Sequence, residues 1–140
     1  MKIICDVNVL VSSTYWTGES NKILEMVDEG KISNITSHEI MADYVEACND
    51  EDLMDKIERK ELFPLRTVEK ITSMSILVHP KEKLEIVKDD PDDDKIIEAA
   101  VEGNCDYIVS KDKKHLLVMN EFRGIKIISP KEFLDLIRKN

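Results

Sequence analysis

The chain has 140 residues, with 29 Asp+Glu against 20 Lys+Arg and a formal net charge of −9. This length predicts a single domain over residues 1–140, large enough to bury a core without disulfide or metal staples, and the 42% hydrophobic content excludes a disordered chain. The acid excess excludes a protein that grips nucleic acid through one broad basic face, but not an enzyme that acts on nucleic acid. Cys5, Cys48 and Cys105 are far apart and form no CxxC. A disulfide framework or zinc ribbon is therefore disfavoured and a reducing compartment fits. No run approaches the ~18–20 apolar residues of a membrane span, and no secretory leader pattern opens the chain. The expectation is a cytoplasmic protein with no membrane partner.

Short apolar runs alternate with amphipathic stretches. Ile3-Ile4-Cys5 is the first predicted strand and ends in Asp6. A polar stretch follows, with Tyr15 and Trp16 placed in a loop. A helix is then predicted from Ser20 as N-cap to Gly30 as C′ residue, with Ile23, Leu24 and Val27 on one face. A weak strand lies near residues 32–35. Thr36 and Glu39 have capping-box spacing, opening a helix whose apolar stripe is Ile40, Met41, Tyr44, Val45 and Cys48. Asp43 sits beside that stripe, at its rim. Two more helical segments carry Leu53, Met54 and Ile57, and Leu65, Val68 and Ile71. Ile76-Leu77-Val78 is a predicted buried strand, stopped by Pro80.

The segment 89–94 reads Asp-Asp-Pro-Asp-Asp-Asp and opens a helix with Ile96, Ile97, Ala100 and Val101 inward and Gly103 at its end. Acids there complement the partial positive charge of the helix start. Tyr107-Ile108-Val109 is the next strand, followed by Ser110, Lys111 and Asp112. Ile125-Lys126-Ile127-Ile128 is the last, and Ser129-Pro130-Lys131-Glu132 forms a capping box with proline at the first helical position. Strands separated by helices imply parallel pairing through right-handed crossovers. The predicted fold is α/β, a three-layer α/β/α sandwich around a parallel sheet of about five strands.

Ligand crevices of open parallel sheets lie outside the carboxyl ends of the strands. Asp6 and Asp112 follow two strands, and the 89–94 tract opens a helix that brings Asp92, Asp93 or Asp94 to the same edge, with Asp43 a fourth contributor. Carboxylates converging to within ~6 Å repel by roughly 3 kcal/mol per charged pair at an effective dielectric of 20, so such a cluster calls for a cation. Hard oxygen ligands suit Mg²⁺ or Mn²⁺ rather than zinc. A calcium loop through Asp90, Asp92 and Asp94 fails, because Lys95 stands where the loop needs Gly and Val101 where it needs Glu.

At these residues the chain resembles the PIN-domain ribonucleases, and in particular their toxin-like branch. The resemblance rests on Ile4-Cys5-Asp6-Val7-Asn8-Val9-Leu10-Val11-Ser12, on Asp90-Pro91-Asp92-Asp93-Asp94-Lys95-Ile96-Ile97-Glu98-Ala99-Ala100, on Asp106-Tyr107-Ile108-Val109-Ser110-Lys111-Asp112, and on a tail from Phe122 through Gly124 and Ser129 to Leu134. It implies a metal-dependent endoribonuclease in which Asp6, Asp93 and Asp112 hold Mg²⁺ or Mn²⁺ and cleavage leaves a 3′-hydroxyl and a 5′-phosphate. Asp43, counted from Ser37, stands where the family usually has Glu and completes the catalytic acids, with Glu39 and Glu46 as backups. Val7 and Lys111 replace the family's common Thr and Gly. Asn8 and Ser110 orient the ligating carboxylates by hydrogen bonds. The resemblance also implies an RNA substrate, an antitoxin protein partner and a homodimer.

Lys111, Lys113 and Lys114 flank Asp112 and are the expected RNA contacts. Lys56, Arg59, Lys60 and Arg66 form a second local basic run. His38, His79 and His115 share no ligand spacing, which predicts surface or satisfied polar roles rather than metal ligation. Two other readings compete. The departure at Asp43 keeps a catalytically silent PIN-like nucleic-acid-binding module in play. A phospho-receiver domain shares the length and class, but it wants paired acids near the first strand, where Asp6 stands alone.

Overall fold

The computed structural model describes residues 1–59, 68–87 and 90–139, with the side chains of 57–59 left aside. Its elements in chain order are β1 (Lys2–Cys5), α1 (Val7–Tyr15), α2 (Glu19–Asp28), β2 (Ser33–Thr36), α3 (His38–Cys48), α4 (Glu51–Arg59), α5 (Val68–Met74), β3 (Ser75–Leu77), α6 (Pro91–Glu102), β4 (Tyr107–Val109), β5 (Glu121–Phe122), β6 (Ile125–Ile128) and α7 (Pro130–Arg138). They form one sheet of order β3-β2-β1-β4-β6-β5. Five strands are parallel, as expected, and the short β5 adds an antiparallel sixth at the edge. Helices flank the sheet. Helix α6 packs on β1, β2 and β4, while α1 packs against α2 and α3, and α2 against α7.

Central position explains β1. Ile3, Ile4 and Cys5 are all buried, so neither face tolerates a polar residue, and the sequence shows a run instead of an alternation. From β1 the chain steps through β2 to β3 on one side and returns to place β4 on the other. The gap between the carboxyl ends of β1 and β4 is therefore the sheet's topological switch point.

Several boundaries differ from the sequence expectations, each for a local reason. The stretch after Asp6 is helix, not loop, and Tyr15 ends it. Its Ser13 and Thr14 are buried because their hydroxyls donate to the Leu10 carbonyl at 2.7 and 2.8 Å, which satisfies polar atoms inside the core. Thr14 also hydrogen-bonds the buried Tyr44 hydroxyl of α3. Helix α2 starts at Glu19 with Gly18 as N-cap, so Ser20 lies inside its first turn. Ser37, not Thr36, caps α3, accepting from the Ile40 amide at 3.3 Å, because Thr36 is the last residue of β2. Ile76 and Leu77 are 47% and 40% exposed, since β3 is an edge of the described sheet and not a buried strand. Gly30 does take the left-handed conformation (φ +77°) that ends α2. Gly103 has φ −83° and is required for space instead: a Cβ there meets Ile35 Cγ2 at 2.7 Å. The Ser129–Glu132 capping box forms as expected.

The Leu65 end of the predicted 65–71 helix lies outside the described residues, as do Lys60, Arg66 and Asp89. All three cysteines are buried and free. Among the described residues no helix is long and apolar enough to cross a membrane.

Candidate active site

A cleft of about 380 Å³ opens at the switch point, and its walls come from the ends of β1 and β4, the start of α6 and one side of α3. Its lining includes eight carboxylates: Asp6, Asp43, Glu46, Asp50, Asp90, Asp92, Asp93 and Asp112. Asp6, Asp43, Asp93 and Asp112, from four separate segments of sequence, are thus brought to one place.

Asp6 is held there by its own role as N-cap of α1. One oxygen accepts from the Val9 amide at 2.9 Å; the other accepts from the Ser110 hydroxyl and from the Lys111 amide at 3.3 Å. Ser110 is fully buried and in turn accepts from the Asp112 amide at 2.9 Å, so one hydroxyl ties the two strand-end acids together. Burial pushes the Asp6 carboxyl up, and the nearby Asp112 adds to this, while the three hydrogen bonds act in the opposite direction.

Asp93 lies in the first turn of α6 and is 9% exposed. Its Oδ2 is buried without a hydrogen-bond partner. Burial first, then hydrogen bonding with Asp112 and the charges of Asp90, Asp112 and Asp6, push its carboxyl up to about 8. Burial also acts upward on Asp112. Hydrogen bonds from Asp93, from the His115 and Lys114 amides and from the His115 ring outweigh it and leave Asp112 below its usual value. The close approach of the two carboxyls thus favours the protonated form of Asp93 and the ionised form of Asp112.

The remaining acids of the 89–94 tract diverge. Asp90 caps α6, accepting from the Asp92 amide at 3.1 Å. Asp92 is exposed and pairs with Lys95 at 2.9 Å. Asp94 accepts from the Ile86 and Val87 amides at 3.1 and 2.8 Å, which pins the segment before α6 and removes Asp94 from the cleft. Asp43 also pairs with Lys95, at 2.9 Å, so the fourth acid faces a built-in counter-ion. Of the backups, Glu46 lines the cleft and Glu39 does not.

Asn8 is exposed on the cleft wall, and the hydrogen bonds recorded to Asp6 come from other groups. Lys111 donates to the Ser12 hydroxyl at 3.0 Å. With Lys113 and Lys131 it lines a separate cavity at the start of α7, next to the acidic cleft. Lys114 contributes its backbone amide to Asp112 at 3.0 Å. Trp16 lines a small cavity with Lys111 and not the acidic cleft.

One member of the cluster escaped the sequence reading. His115 was expected on the surface or in a satisfied polar role, yet its Nδ1 lies 3.3 Å from Asp112 Oδ2 and 3.6 Å from Asp93 Oδ2. Asp90, Asp93, Asp112 and His115 each offer a ligand atom within 4.8 Å of the others. The signal was the three-residue spacing from Asp112, where a turn folds the ring back over the carboxylate.

Convergent acids at the switch point of a mostly parallel sheet define an α/β site whose carboxylates could hold a cation. The chain belongs to the PIN-domain family: the family model described as PIN domain matches residues 2–114, which contain every residue of the cleft. No curated protein matches the chain. PIN domains are generally metal-dependent nucleases that use divalent ions. That membership takes the place of the phospho-receiver reading. The residues present fit such an ion. The donor set is rich in hard carboxylate oxygens, and Asp93 Oδ2 is a buried acceptor that no protein group satisfies.

Proposed function

We propose that the protein is an endoribonuclease that hydrolyses RNA phosphodiester bonds with Mg²⁺ or Mn²⁺. We further propose that it is the toxin-like member of a toxin–antitoxin pair, acting in the cytoplasm as a homodimer, with residues 1–140 working as one PIN-like domain. The observation that carries the catalytic reading is the convergence of Asp6, Asp93 and Asp112 on one cleft, with Asp93 Oδ2 buried and unpartnered.

In this reading Asp6, Asp93 and Asp112 hold the ion. When bound, it offsets the charge of the scissile phosphate and lowers the pKa of water beside it. The protein's own groups do the rest. Ser110 donates to one oxygen of Asp6 and accepts from the Asp112 amide, so the ligands are set before substrate arrives. The Asp93 proton leaves as a cation enters. Asp43 and Lys95 form a switchable pair at the wall. Lys95, held between Asp43 and Asp92, would release Asp43 to accept a proton or orient a water on turning to a substrate phosphate. Lys111 and Lys113 extend this path with positive charge beyond the acidic cleft, where a flanking phosphate of the strand passes.

The Asp43–Lys95 pair also favours a second reading, a silent PIN-like module in which that acid is permanently neutralised. Incubation of the purified chain with single-stranded and structured RNA, in Mn²⁺ or in EDTA, decides between them. Metal-dependent cleavage that Asp6→Asn and Asp93→Asn both abolish supports the nuclease. RNA binding without cleavage, at any metal concentration, supports the silent module. Co-purification of a neighbouring-gene product that blocks cleavage tests the toxin role.

A further inference from the structure

The proposed catalytic acids are all oxygen donors, and a site built from them alone has no strong reason to prefer a transition ion over Mg²⁺. His115 changes that chemistry. Its Nδ1 stands 3.3 Å from Asp112 Oδ2 and 3.6 Å from Asp93 Oδ2. Neighbouring donors around one ion with bonds of about 2.1 Å lie roughly 3.0–3.5 Å apart, in octahedral or tetrahedral arrangement. The two distances from Nδ1 to the Oδ2 atoms are already nearly this long, and one ligand atom of each residue lies within 4.8 Å of the others.

Hydrogen bonding accounts for less of the arrangement. A proton on Nδ1 reaches Asp112 over a long 3.3 Å, and at 3.6 Å it leaves Asp93 Oδ2 unserved. Asp93 is nine-tenths buried, so that oxygen has no water to fall back on. A cation bound there would be offered Nδ1 and an oxygen of each carboxylate together. The ring is held for this, because its own backbone amide donates to Asp112 Oδ1 at 3.0 Å.

We propose that His115 is a ligand of the cation centre together with Asp93 and Asp112, and that its imidazole makes the centre select a first-row transition ion, Mn²⁺ in preference to Mg²⁺. This rests on the reading of the cleft as a cation site. Imidazole nitrogen is a poor partner for Mg²⁺, which keeps oxygen ligands and its own water, and a better one for the first-row divalent ions, of which Mn²⁺ gains least.

The test uses the full chain, stripped of metal, and reads binding instead of cleavage. Pulsed electron paramagnetic resonance of the Mn²⁺-loaded wild type should show coupling to a directly bound ¹⁴N. The coupling should vanish in His115→Gln and, together with the ion, in Asp93→Asn. Calorimetric titration should show His115→Gln weakening Mn²⁺ by about tenfold or more, with Mg²⁺ affinity changed much less. The wild-type spectrum alone keeps the inference falsifiable if the variant folds poorly. Mn²⁺ bound with no nitrogen coupling overturns the role of His115 and leaves the carboxylate site standing. The same holds if the coupling survives in His115→Gln, or if both ions weaken by one common factor. Failure of the wild type to bind either ion overturns both the site and this inference.

Discussion

Two clefts sit at opposite ends of the same sheet. The larger, about 600 Å³, lies at the amino ends of β1, β4 and β6 and is lined by residues such as Asn104, Tyr107 and Lys126. The smaller, about 380 Å³, lies at the carboxyl ends and holds the acids. Size favours the first and strand polarity the second. At the carboxyl end the chain reverses direction across the sheet and parts β1 from β4, so groups from several segments converge there. At the amino end the lining polar groups serve the backbone: Asp106, for example, accepts from the Lys2 amide at 2.9 Å. The acid cleft instead keeps Asp93 Oδ2 buried without a hydrogen-bond donor, beside carboxylates that help push its carboxyl up to about 8.

The largest effect should come from that residue. Asp93→Asn should lower RNA cleavage by at least about 10²-fold. It should also abolish the metal-induced rise in melting temperature, which for wild type corresponds to about 2.7 kcal/mol at a hundredfold excess over Kd. The metal-free variant should melt higher than metal-free wild type at pH 8.5, because no charge has to be buried. A lower melting point there would show that the acid is a structural element and not a ligand.

Asp94, the next residue, should separate support from function. Asp94→Ala strands the Ile86 and Val87 amides and should cost about 2–3 kcal/mol. The ratio of Mn²⁺ to Mg²⁺ affinity should stay at its wild-type value. Gly103→Ala, which pushes a methyl into Ile35, should cost about 1–3 kcal/mol in the same assay, again without touching the ion. Loss of cation affinity in either variant would break the division between site and scaffold.

The neighbouring positions 92, 93 and 94 also show what the sequence can and cannot disclose. That an acidic helix start would join Asp6 and Asp112 at one sheet edge followed from strand-helix alternation alone. How three adjacent aspartates would divide did not, because helix rotation leaves Asp93 buried in the cleft, Asp92 exposed at its wall with Lys95, and Asp94 turned to the segment before α6. Asp43 was placed correctly on its helix, yet its counter-ion comes from position 95, a long-range pairing with no local trace. His115 stands beside Asp93 and Asp112 because of a turn that the three-residue spacing from Asp112 hints at but the polar composition hides. Helix α1 was missed because Ser12-Ser13-Thr14 looks like loop until the Leu10 carbonyl offers the Ser13 and Thr14 hydroxyls an acceptor. Strand β5 is two residues long and owes its existence to the positive φ of Arg123 and Gly124, which turn it back on β6.

A subtler effect concerns pH. Asp93 has a folded value near 8 against 3.8 in the open chain. Between these values the folded state holds a proton that the unfolded state has lost, so stability should fall as pH rises from about 4 to about 8 and level off above. Asp6, also raised, acts in the same direction. Asp112 is lowered, so its contribution is lost only on acidification below about 3.8. Thermal melts in EDTA at pH 5 and 8.5 should therefore show the lower melting temperature at high pH. Saturating Mn²⁺ should reverse the order, since the ion takes the proton's place. An unchanged order in Mn²⁺ would mean that the cation binds elsewhere.

The smallest expected effect belongs to the larger cleft. Lys126 is exposed at its rim, on the outward face of β6, and no carboxylate among the described residues pairs with it. Lys126→Ala should change stability by no more than about 0.5 kcal/mol, and Mn²⁺ binding and cleavage should stay at wild-type levels at moderate salt. A slight loss of cleavage confined to low salt is consistent with long-range steering, because one cation fewer deepens the repulsion that an acidic protein exerts on a polyanion. A loss that persists at high salt cannot be steering. It would mean that the strand reaches around the sheet to the amino-end cleft, and that polarity at the switch point selects the place of chemistry but not the whole of the substrate's path.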